Sequence, residues 1–119
     1  MFLICRLPVG AVLEIFSDDP CPPPREAFAL FSKAAVVIGL HGAGLSNAVL
    51  MSAGGHLVEF ALPEPHAQYY GHLAEANDLR YHKVQLHGTA LYSAASIQVP
   101  ASALSAALDN IPLLQREAG

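Results

Sequence analysis

Charge is what this sequence has least of. Only 13% of the 119 residues are Asp, Glu, Lys or Arg, against 53% hydrophobic, whereas soluble domains usually carry about 25% charged residues. An unusual share of the surface is therefore expected to be apolar or covered by something else. The six Lys and Arg stand singly and the net charge is −4, so no basic stripe exists to neutralise a phosphate backbone, and nucleic-acid binding driven by charge is excluded. Cysteine is nearly as scarce. Cys5 and Cys21 are too few for a disulfide framework and lack the spacing of a zinc site; they read as buried free thiols, with pairing in an oxidising compartment as the alternative. Long apolar runs are missing as well. "MFLICRLPVGAVLEIF" is interrupted by Arg6, Pro8 and Glu14, which leaves neither a membrane span nor a signal peptide of ordinary form.

What is present is an alternation of short apolar runs and turns, in a length that suits one domain. "VLEIF" (Val12 to Phe16) reads as a strand, stopped by the prolines of "SDDPCPPP". "REAFALFSKA", with Pro24 at its first position and Phe28, Phe31 and Ala35 at i, i+3 and i+7, predicts an amphipathic helix that packs on a sheet. "AVVIG" is a β-branched run without alternation, the pattern of a parallel strand covered on both faces. "LSNAVLMSAGG" then predicts an α-helix closed by Gly54 and Gly55, and "HLVEF" the next buried strand. Beyond "ALPEPH", the segment "AQYYGHLAEANDL" predicts a helix turning Tyr69 or Tyr70, Leu73 and Asn77 to one side, followed by "RYHKVQL" as a more exposed strand. "SIQV" is a last short strand, and Ser102 to Ile111 a final helix ended by Pro112. The fold class expected is α/β with a mostly parallel sheet, one domain over residues 1–119 with a frayed tail at 112–119.

Between the run "AVVIG" and the helix stands "HGAGLSN" (His41 to Asn47). In an open α/β sheet, ligands bind beyond the carboxyl ends of the strands, where the first N–H groups of a helix lack partners. Gly42 and Gly44 let the backbone approach a ligand closely, and free amides at a helix start favour phosphate or carboxylate. Ser46 or Asn47 would cap the helix or bind a ligand hydroxyl. The segment departs from G-x-G-x-x-G and lacks the Lys-Ser/Thr of a P-loop, so by motif alone phosphate binding and a purely structural turn stay open. So do two readings of His41, as a satisfied strand-end group or as a donor to a diphosphate.

Two other chemistries are imitated. "GLSNA" resembles G-x-S-x-G of a serine hydrolase, but a nucleophile elbow lies at the immediate end of a strand, and Ser46 follows Gly39 by seven positions. The six histidines, His41, His56, His66, His72, His82 and His87, show no i, i+4 pair and no HxH, so scattered surface and strand-end roles are favoured over a metal site.

The whole run "LFSKAAVVIGLHGAGLSNAVLMSAGGHLVEF" with "YYGHLAEANDLRY" resembles glycosyltransferase family 61, which includes EGF-domain-specific and protein-O-mannose N-acetylglucosaminyltransferases and plant xylosyl- and arabinosyltransferases. The shared pattern is A-x-x-(V/I)-(V/I)-G-x-H-G-A-G-L-(T/S)-N, then V-(V/I)-E, then Y-x-x-L-A-x-x-x-x-L-x-Y, covering about Pro24 to Tyr81. The resemblance implies a GT-B-like architecture of two Rossmann-like halves, of which this chain looks like the C-terminal, donor-binding half and hence a fragment. It implies a nucleotide-sugar donor, a UDP-sugar, and no metal, with transfer to a protein or glycan hydroxyl. His41 and the amides of Gly42, Ala43, Gly44 and Leu45 are then assigned to the donor diphosphate, with Ser46 and Asn47 in the same loop. Glu59 is a candidate for the ribose hydroxyls, with an ordinary strand-end carboxylate as its alternative. "REAF" stands where the family commonly has a Glu-Gln-like pair, so one donor contact is lost unless Arg25 or Glu26 replaces it. The catalytic base is expected outside this half, so the partners implied are the missing N-terminal half or another subunit, and the setting, if eukaryotic, is the lumen of the Golgi or ER. The alternative is a truncated, non-catalytic domain that binds nucleotide or only packs against another domain.

Overall fold

The structure is a computed structural model and describes residues 2–6 (backbone only), 10, 12–17, 20–61, 68–86 and 99–112. The run VVIGL forms the strand at the centre of the sheet. Its side chains alternate between two layers, and both layers are closed: Val36 and Val37 have no exposure and Ile38 has 3%. In chain order the strands are β1 (Phe2–Arg6), β2 (Val12–Phe16), β3 (Val36–Leu40), β4 (His56–Ala61) and β5 (Arg80–Gln85), arranged across one sheet as β2-β1-β3-β4-β5. β3, β4 and β5 run parallel, as the α/β class requires. β1 and β2 add an antiparallel hairpin at one edge, Phe2 pairing with Phe16, and β1 runs antiparallel to β3. β1 has no counterpart among the predicted elements.

One face is covered by α1 (Pro24–Ser32), a 3₁₀ helix (Ala43–Leu50) and α2 (Tyr69–Ala76); Ala27, Phe31, Ala48, Tyr70 and Ala74 meet Val37 and Leu57 there. The other face carries α3 (Ala101–Asp109), whose Ala107, with Ile111, meets Val36, Ile38, Val58 and Phe60. Burying one such large apolar side chain contributes about 1.5–3 kcal/mol. In α1, Pro24 starts the helix as predicted, but the packing face is Ala27 and Phe31, and Phe28 is 58% exposed. Of the two tyrosines in α2, Tyr70 turns inward and Tyr69 outward.

The segment after the glycine turn corrects the expected α-helix. Leu45, Ala48 and Met51 are its buried residues, spaced by three, so with three residues per turn they stand directly above one another along one side. Met51 N–H closes the last turn on Ala48 O at 3.0 Å. Gly54 follows with φ 87°, and Gly55 is closely packed: a Cβ there would stand 3.3 Å from the Ala35 and Ser52 carbonyl oxygens and would displace the Met51 Cε, 2.8 Å away.

Cys21 is a free thiol, exposed rather than buried. Exposed apolar surface, expected from the low charge, is concentrated on edge strand β2, where Val12, Leu13 and Ile15 are all more than half exposed. Among the described residues no helix is long and apolar enough to cross a membrane. The predicted strand "SIQV" falls, apart from Val99, outside the described residues, as do the tail 113–119 and the side chain of Cys5.

Candidate functional site

The end of β3 is held beside β4 one residue past the strand, by His41 N–H donating to Phe60 O at 2.9 Å. Gly39 lies opposite Glu59 in the parallel register, and His41, two residues on, points to the same face. His41 and Glu59 therefore meet. Glu59 has no exposure, and His41 Nδ1 donates to its Oε2 while the Tyr81 hydroxyl donates to its Oε1. Tyr81 reaches it because Leu57, not Glu59, is its partner in register, so both residues stand on one face, two positions apart. Burial, then the hydrogen bond to Glu59 and the charge of that carboxylate, push the Tyr81 hydroxyl well above the ordinary tyrosine value. It remains a neutral donor.

Both carboxylate oxygens are thus engaged from within the protein. Glu59, with no exposure, is paired with His41 on the side of the turn. The His41 side chain keeps 15% exposure, and its Nε2 has no hydrogen-bond partner among the described residues.

The turn itself is fixed at three points. Leu45, fully buried, anchors it in the core, and its N–H donates to Gly42 O at 3.0 Å. The Tyr70 hydroxyl donates to the same carbonyl, and the Tyr70 ring stands edge-on to His41 with centroids 5.1 Å apart. Asn47 Nδ2 donates to Gly44 O at 3.0 Å, turning that side chain back on its own loop. The Leu45 amide is therefore occupied, while the N–H groups of Gly42, Ala43 and Gly44 have no partner among the described residues, as a helix start leaves them. Gly42 has extended backbone at φ 171°, and a Cβ would meet only Leu40 O at 3.8 Å. Neither backbone nor packing demands glycine there, so a Cβ at Gly42 would stand in open space at the turn. Ser46 is exposed and bonds no histidine among the described residues, which removes the geometry of a serine nucleophile.

Sequence reasoning brought His41 and Glu59 onto one strand-end site, but it missed Tyr81 and left open which of Tyr69 and Tyr70 turns inward. The alternation of "RYHKVQL" could have found Tyr81, once the strand was laid parallel to "HLVEF". His56 and His82 also come together, on the face toward α3, with His56 Nδ1 and His82 Nε2 2.9 Å apart and the rings stacked at 5.2 Å. Burial lowers the titration of both, reinforced at His56 by His82 and Arg80 and at His82 by Arg80. Among the described residues no group of three or more His, Cys, Asp or Glu side chains is placed to hold a metal ion. A cavity of 270 Å³ lined by residues 32–35 and 52–55 lies at the amino ends of the strands, away from the turn.

Fold and site together define an α/β domain with a glycine turn at the carboxyl ends of its parallel strands, bearing free amides and a histidine held by a buried carboxylate. No protein-family model, curated protein or solved structure matches the chain.

Proposed function

We propose that this chain is the donor-binding part of a glycosyltransferase, with the turn His41 to Asn47 cradling the diphosphate of a nucleotide sugar, a UDP-sugar. The observation that carries the reading is the set of unpartnered N–H groups of Gly42, Ala43 and Gly44 beside His41. Backbone amides and an imidazole gathered at a helix start favour a polyanion. In transfer, the acceptor hydroxyl attacks the anomeric carbon and a nucleoside diphosphate departs. Donors already aimed at its oxygens stabilise the charge that develops there. Tyr70, Leu45 and Asn47 serve by holding the turn rather than by meeting the donor. The base that deprotonates the acceptor belongs to the other half of a GT-B-like enzyme.

The test is calorimetric titration with UDP of the wild-type chain and of Gly42→Ala. The substitution should leave stability within about 0.5 kcal/mol and weaken UDP binding roughly tenfold, by filling the open space at the turn. A folded wild-type chain that takes no UDP would end this reading. A second reading, a domain that binds nucleotide without turnover or only packs against another chain, is favoured by exposed Val12, Leu13 and Ile15 on β2. UDP binding with neither hydrolysis nor transfer of a UDP-sugar would select it.

A further inference from the structure

Glu59 is the buried charge of the site. A carboxylate with no exposure must be paired or neutralised, and its partners are the Tyr81 hydroxyl and His41 Nδ1. An ionised carboxylate only accepts, so Nδ1 of His41 carries a proton, and whenever the ring holds no second proton Nε2 presents its lone pair. That lone pair repels a phosphate oxygen brought to the turn by the amides. A second proton on the ring reverses the sign: Nε2–H donates to the phosphate oxygen, and the positive ring lies between two negative groups.

Resting on the donor reading above, we propose that Glu59 is a positioning residue that acts through His41, so that docking of a diphosphate draws one solvent proton onto Nε2. The proton forms the Nε2–H bond, no bond of the ligand breaks, and the proton returns to solvent on release. The groups that face the ring among the described residues are Glu59 from β4, with Tyr81 of β5 behind it, and the neutral Tyr70 from α2. Lys83, in register with Glu59, is exposed. A merely structural Glu59 would stabilise the fold and leave the proton count of binding unchanged.

Titration calorimetry with UDP at about pH 8, above the range in which an unperturbed imidazole is charged, in two buffers of different ionisation enthalpy, counts the protons taken up. Wild type should take up a proton in proportion to site occupancy. Glu59→Gln should take up none and bind about tenfold more weakly, and His41→Asn, which keeps a polar side chain at the turn, should also bind without uptake. Ring ¹⁵N shifts of His41 should move from one protonated nitrogen to two when UDP is added. UDP binding by wild type without proton uptake, or uptake unchanged in either variant, overturns the inference and leaves the donor reading standing. A folded wild type that binds no UDP overturns both.

Discussion

On the face of β4 that meets α3, His56 bonds His82 and no carboxylate among the described residues, while three residues along and on the opposite face Glu59 holds His41. The difference shows what decides the use of a histidine in this sheet. The His56–His82 bond needs one of its two nitrogens bare, and burial with Arg80 nearby keeps charge off both rings. It is a packing element between two strands. His41 has the same ring type beside a buried anion and a set of free amides, at the strand end where an α/β sheet opens to ligands. Of these two histidine sites, the second alone pairs its ring with a carboxylate.

Removing the anion should have the largest effect. Glu59→Ala leaves the Tyr81 hydroxyl and His41 Nδ1 without their acceptor in the interior, and a loss of about 2–4 kcal/mol in chemical denaturation is expected. Acid separates the two sites next. For His56 and His82 the folded state disfavours the proton relative to the unfolded value of 6.5. Their contribution to stability is therefore intact above pH 6.5 and is lost as pH falls from 6.5 through the lowered folded-state values. Urea melts between pH 8 and pH 5 should show this decline, and His82→Phe should flatten it. Tyr70→Phe keeps the ring against His41 but removes one of the two donors to Gly42 O, which should cost about 1 kcal/mol and weaken UDP binding a few-fold. Ser46→Ala should change stability by less than about 0.5 kcal/mol and leave UDP binding intact. A large loss there would return Ser46 to the site.

The central architecture was legible because its signals are local. A short β-branched run without alternation, ended by a glycine, favours a doubly covered strand over a buried helix segment. The 3₁₀ helix was not legible as such, since Leu45, Ala48 and Met51 fit a face of either helix type until neighbours fix the winding. β1 was hidden because its apolar run, Phe2 to Cys5, is only four residues long, and its pairing with β2 and β3 depends on a hairpin rather than on composition. Within the site, His41 and Glu59 could be named from their strand ends, but their bond spans 18 residues and Tyr81 to Glu59 spans 22. Such contacts exist only once the parallel register is set. The same register is what sets Glu59 between His41 and Tyr81.

The most direct test follows the backbone amides of the ¹⁵N-labelled chain by NMR while UDP is added. The largest shift changes should fall on the N–H groups of Gly42, Ala43 and Gly44, with the Leu45 amide, already bonded to Gly42 O, moving less. A folded chain whose turn amides stay still, whether UDP binds elsewhere or not at all, would contradict the donor reading.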